Sequence, residues 1–279
     1  ILGTIGLILL YDVFMKNKIK NNFITNSIIL IIIFIPSLSF WSSAIGKDVF
    51  AFLSVTLLIW TIYNYKGNIF FKYFSLILMC LVRPHYGIPG IFIFYLCDLF
   101  IIKNNLITLF LKAISLIIIL LCTPFILDFT LNYLGYYKVT SFNSLTYEGF
   151  LNFLEVRSRY EVSDSFYDSG ALFYPIKIFT LLFGPFIFNT ETFFQFVSSI
   201  ENTIILIILI YLLYLKFKNR LSLPKDYLLP LIIYGYFILH FLSITVSNYG
   251  IANRHKWMVL PIIITIFLTK YSNVKYEKK

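Results

Sequence analysis

Phe40-Trp41-Ser42-Ser43-Ala44-Ile45-Gly46-Lys47-Asp48 is a short polar stretch between two strongly apolar runs, residues 24–38 and 49–63. Two apolar runs this close together, joined by aromatic, hydroxyl and charged residues, read as a helical hairpin that crosses a membrane and turns at its surface. Trp41 and Phe40 suit the aromatic belt found at that depth. The fold class follows from this reading.

Composition agrees with it. The chain has 279 residues, 59% hydrophobic and 13% charged, with mean hydropathy +0.84. Soluble domains run at about 45–50% apolar and about 25% charged residues. In lipid, every backbone polar group must be satisfied within the segment or by closed pairing. No barrel-like alternation is visible, so the expectation is an all-α, polytopic membrane protein forming a single domain over 1–279. The chain opens on Ile1-Leu2-Gly3 without Met, which reads as a start inside a helix, its N-terminal part and any catalytic residue there lying upstream. Cys80, Cys97 and Cys122 each sit in apolar runs without metal-ligand spacing. No metal site, cofactor, phosphate-cradling loop or nucleophile elbow is legible. The net charge of +10 reads as positive-inside lysine rather than as a nucleic-acid surface.

Working outward, the runs at 1–14, 24–38, 49–63, 106–126, 202–215, 227–246 and 258–269 read as spans. Residues 69–102 read as two short helices, 69–82 and 88–102, broken by Arg83-Pro84-His85-Tyr86-Gly87-Ile88-Pro89-Gly90. That makes nine spans. Residues 128–201 form a long outer region with an interfacial helix at 147–160. Within it, residues 172–199 are re-entrant or surface-lying, because a crossing there would place Lys216, Lys218, Arg220 and Lys225 outside. Residues 247–257 read as an outer loop. On this topology lysine dominates the inner side, whereas four of the five Arg fall outside. Planar arginine is the better clamp for phosphate or carboxylate, so this bias is the main functional signal.

Four polar groups share the outer face. Ser42, Ser43, Lys47 and Asp48 form the hairpin tip, where Ser43 or Asp48 serves as a helix cap or Lys47 and Asp48 serve a substrate. Arg83 and His85 sit at the broken helix pair, where a recessed charge is a functional candidate by default; the structural alternative pairs Arg83 with an acid such as Asp48. Glu155, Arg157, Arg159, Glu161, Asp164 and Asp168 lie in the long outer region, as a solvated face or as sugar contacts. Asn253-Arg254-His255-Lys256 begin the last span, where snorkelling is the structural alternative. The substrate-binding candidates are Lys47, Asp48, Arg83, His85, Arg157, Arg159, Arg254 and His255. The candidates for a catalytic base are Glu155, Asp164 and Asp168.

Several runs resemble those of membrane proteins that assemble bacterial surface polysaccharide. They are Pro36-Ser37-Leu38-Ser39-Phe40-Trp41-Ser42-Ser43 with Lys47-Asp48, Leu81-Val82-Arg83-Pro84-His85, Gly184-Pro185-Phe186 with Glu201-Asn202, and Asn248-Tyr249-Gly250 with Asn253-Arg254 and Pro261. The resemblance is to O-antigen or capsule polymerases of the Wzy type, or to related multi-span glycosyltransferases of the GT-C kind. It implies a bacterial inner-membrane protein with a periplasmic active site. It also implies an undecaprenyl-pyrophosphate-linked oligosaccharide as substrate, with the lipid bilayer and a chain-length regulator as partners. GT-C enzymes carry a catalytic acid in the first outer loop, and no such loop is evident here. The alternative class is a transporter or flippase of a lipid-linked oligosaccharide or another anion, for which broken helices are the usual sign.

Overall fold

Prolines open five of the described helices. In the computed structural model, Pro36, Pro84, Pro175, Pro230 and Pro261 all lie in first turns, where a missing N–H leaves no hydrogen bond unmade. The structure describes residues 1–43, 46–64, 68–101, 106–136, 146, 148–149, 153, 167, 172–218 and 228–269. The helices are α1 (Leu2–Asn17), α2 (Phe23–Ile33), α3 (Pro36–Ser43), α4 (Lys47–Asn64), α5 (Ile69–Val82), α6 (Pro84–Ile101), α7 (Leu106–Leu134), α8 (Tyr174–Phe183), α9 (Phe193–Lys218), α10 (Leu229–Thr245), α11 (Tyr249–His255) and α12 (Leu260–Leu268). Short 3₁₀ turns lie at Ile187–Asn189 and Lys256–Met258. No strand occurs among the described residues, though an isolated bridge joins Lys18 and Thr269. The fold is all-helical.

α1 packs along α4, α4 along α5, and α5 along α6, while α10 reaches α6, α8 and α12. Two glycines permit the tightest approaches. A Cβ on Gly3 would lie 1.8 Å from the Ser42 carbonyl oxygen, and one on Gly87 would lie 2.3 Å from Cys80 N. The first clamps α3 onto α1 and the second seats α6 on α5. One apolar core runs through the assembly, including Phe14, Ile32, Leu58, Tyr86, Phe94, Tyr234 and Trp257.

Among the described residues, α9 is long and apolar enough to cross a membrane by itself, and two bent pairs would each serve as a broken span. These are α2 with α3, bent by 42°, and α11 and its 3₁₀ turn with α12, bent by 50°. The 26 residues of α9 reach about 39 Å, more than the ~30 Å hydrocarbon core. Its inward face buries Ile205, Ile208, Leu209 and Leu212, while Ile204, Ile207, Ile210 and Phe217 stay exposed. A helix that is apolar on both faces is built to meet lipid or more protein on its outer side. α5, α8 and α10 are apolar but shorter.

The expected break over residues 83–90 is in fact a single residue. α6 begins at Pro84, not at 88, so His85 through Gly90 are helical. Proline disfavours the helical region for the residue before it, and Arg83 (φ −142°, ψ 78°) absorbs the whole turn. Its carbonyl already accepts from Tyr86 N and Gly87 N at 2.9 and 3.0 Å. α7 also runs past residue 126 to Leu134, where Gly135 at φ +79° ends it. The polar residues there do not stop the helix, and Thr130 Oγ1 donates back to the Ile126 carbonyl at 2.7 Å. Residues 247–257 are not a loop. Asn248 accepts from Gly250 N and Ile251 N and so caps α11.

Candidate functional site

Asp48, in the first turn of α4, is the centre of the site. Its Oδ1 accepts from Arg83 Nη2 at 2.5 Å, and its Oδ2 accepts from Arg254 Nε. Arg83 arrives from the α5–α6 junction and Arg254 from α11, so three distant parts of the chain converge on one carboxylate. Arg83 Nη2 also lies 3.0 Å from His255 Nε2. A guanidinium can only donate, so Nε2 accepts and a neutral His255 carries its proton on Nδ1.

The two arginines differ in setting. The Arg83 side chain is 10% exposed and that of Arg254 is 39% exposed. The Arg254 guanidinium lies 5.4 Å from the centroid of the Trp41 ring, within cation–π range. Arg83 Nε is buried without a hydrogen-bond partner among the described residues. Among the described residues, two guanidinium charges against one carboxylate leave the centre with a surplus positive charge, held where a further acceptor oxygen would be satisfied. Beside it lies a small cleft, lined by Leu38, Trp41, Ser42, Asp48, Phe52, Arg254, Trp257 and Met258.

Lys47 and His85 flank this centre through Tyr133 of α7. Lys47 Nζ donates to Tyr133 Oη at 3.0 Å, and Tyr133 Oη donates to the Val82 carbonyl at 3.0 Å. His85 is buried among the rings of Tyr86, Tyr133 and Phe241. Lys47, Asp48, Arg83, His85, Arg254 and His255 therefore gather at one end of the helical assembly. Glu155, Asp164, Asp168, Arg157 and Arg159 lie outside the described residues. Ser43 Oγ donates back to the Phe40 carbonyl at 3.0 Å, and the Asp48 carboxylate accepts from both arginines.

A second polar cluster lies beneath, made of residues that sequence reasoning named in separate runs, Glu201-Asn202 and Asn253-Arg254-His255-Lys256, without joining them. Lys256 is 1% exposed. Its Nζ donates to Asn202 Oδ1 and, at 2.7 Å, to Asn253 Oδ1, so it is buried rather than snorkelling. Glu201, beside Asn202, accepts from Ser37 N at 3.2 Å. Lysines read as topology marks also prove structural. Lys72 is buried against Asp98 at 2.5 Å, and buried Lys216 donates to the Ile266 carbonyl. For Lys72 and Lys216 the signal that was available is position: each falls on the inward side of an apolar helix.

No group of three His, Cys, Asp or Glu side chains is placed to hold a metal among the described residues. No family model, curated protein or solved structure matches this chain. What the geometry offers chemically is a carboxylate, two guanidiniums able to hold an anion, and an aromatic cleft at their side.

Proposed function

We propose that this chain is a multi-span protein of the bacterial inner membrane, with about nine spans, that transfers or polymerises undecaprenyl-pyrophosphate-linked sugar units on the periplasmic face. The observation that carries the reading is the convergence of Arg83 and Arg254 on Asp48 beside a cleft walled by Trp41 and Trp257. Arginine forks match the oxygens of a pyrophosphate, and tryptophan faces suit the C–H side of a sugar ring. In the reaction, the acceptor hydroxyl oxygen bonds to the donor's anomeric carbon. The bond from that carbon to pyrophosphate breaks, and its electron pair leaves on the phosphate oxygen. The hydroxyl proton passes to a carboxylate. Asp48 takes that role here once the arginines move onto the arriving phosphates; Glu155, Asp164 and Asp168 are the other candidates.

Deletion of the gene, followed by gel separation of surface glycan, tests this reading. Loss of the polymer ladder with retention of a single repeat unit is the expected result, and an unchanged ladder overturns it. Asp48→Asn, which keeps the shape and one acceptor, is expected to insert normally and lose the ladder.

A transporter of lipid-linked glycan is the second reading, favoured by the two bent helix pairs. Accumulation of lipid-linked repeat units on the inner leaflet after deletion would select it.

A further inference from the structure

Glu201 and Asn202 are neighbours on α9, yet they hold opposite walls of the cleft. Glu201 Oε2 accepts from Ser37 N at 3.2 Å, in the first turn of α3, and Ser37 Oγ accepts from Trp257 Nε1 at 3.2 Å. α3 carries Leu38, Trp41 and Ser42 of the lining. Asn202 works on the other side. Its Oδ1 accepts from Lys256 Nζ, and its Nδ2 donates to the Gly184 carbonyl at 2.5 Å and to Asn253 Oδ1 at 3.3 Å. Lys256 and Asn253 bracket Arg254 and His255 in sequence, and Lys256 directly precedes Trp257 and Met258. One amide orientation satisfies every bond: the oxygen faces an ammonium, and the nitrogen faces only oxygens.

Burying an ammonium and a carboxylate among amides is often no more stable than filling the same space with apolar side chains, so stability alone does not account for this cluster. Its bonds are directional, and they tie α3, α11 and the end of α8 to a single helix. We propose that Glu201 and Asn202 are positioning residues that set the separation of Trp41 from Trp257 and the reach of Arg254 to Asp48. The consequence for ligand rests on the pyrophosphate reading above; the consequence for cleft geometry does not.

The chain has three tryptophans, Trp41, Trp60 and Trp257. Trp60 bonds to Asp12, away from the cleft. In a Trp60→Phe background, the purified full chain reports on the cleft by emission and acrylamide quenching. The combined Glu201→Gln, Asn202→Leu, Lys256→Met variant removes the ammonium together with the carboxylate and the amide that face it, which leaves no orphaned charge. It is expected to stay folded, to show red-shifted and more quenchable emission, and to bind geranyl pyrophosphate roughly 10-fold more weakly, as small misplacements of binding groups do. Ser37→Ala, a minor change, is expected to shift emission in the same direction. Wild-type emission and affinity in both variants would overturn the proposal, as would wild-type behaviour of Ser37→Ala if the combined variant does not fold. If the parent protein fails to bind geranyl pyrophosphate, the pyrophosphate reading falls and the emission change alone decides whether the pair positions the cleft.

Discussion

Residues 253–256 face two different clusters, and the contrast between them separates binding from support. Arg254 and His255 meet charged partners at Asp48 and Arg83, with Arg254 half-open to the cleft. Asn253 and Lys256 meet amide oxygen and nitrogen in the interior, and Lys256 is sealed from solvent. Among the described residues, the first cluster holds surplus positive charge and a buried donor without a partner; in the second, each named donor meets an acceptor. A fully matched network gains nothing from a ligand. A cluster with charge and donors to spare does.

The sharpest way to break this contrast is to remove its hub. Asp48→Ala leaves Arg83 buried without its carboxylate, and losing one partner of a buried pair costs about 3–5 kcal/mol; part-exposed Arg254 adds little. The expected outcome is a large drop in thermal stability of the purified chain, greater than for Asp48→Asn. Equal melting of the two would show that the ion pairs contribute little.

Next comes the seat of the cleft wall. Gly3→Val drives a side chain into the Ser42 carbonyl, and overpacking of this kind costs about 1–3 kcal/mol. It should lower stability less than Asp48→Ala and also disturb Trp41, as read by emission in the Trp60→Phe background. A variant with unaltered melting and emission would show that α1 and α3 separate freely.

Smaller still is the effect of Tyr167→Phe. Tyr167 Oη donates to the Val246 carbonyl at 2.9 Å, and its ring stacks on Tyr249 at 4.7 Å. Only the hydrogen bond is lost, so a change of about 1 kcal/mol is expected in melting experiments, with no effect on cleft emission. A change in emission would mean that the start of α11 is tuned from outside the two clusters.

Much of this was legible in the sequence, and the failures have physical causes. The apolar runs marked α1, α4, α5 and α10 closely, because period and length suffice for long helices. The gathering of Lys47, Asp48, Arg83, His85, Arg254 and His255 was legible from their shared position at helix ends. The structural alternative for Arg83, pairing with Asp48, is what the structure contains. Two prolines and two glycines made residues 84–90 look broken, but Pro84 opens a helix and Gly87 is required by close packing. Lys256 looked like its solvent-facing neighbours because the partners that bury it, Asn202 and Asn253, come from a distant helix and from its own turn. No local pattern encodes that meeting.

The central claim is that Arg83 and Arg254 take the phosphates of a lipid-linked sugar. Titration of the purified full chain with geranyl pyrophosphate, alongside geraniol, tests it most directly when wild type is compared with Arg254→Lys. The lysine keeps the charge but not the fork, and a charge-assisted hydrogen bond is worth about 1.5–3 kcal/mol. Wild type should bind the pyrophosphate saturably and ignore the alcohol, and Arg254→Lys should bind about 10- to 100-fold more weakly with unchanged melting. Equal affinity of wild type and Arg254→Lys, or equal binding of pyrophosphate and alcohol, would contradict the claim.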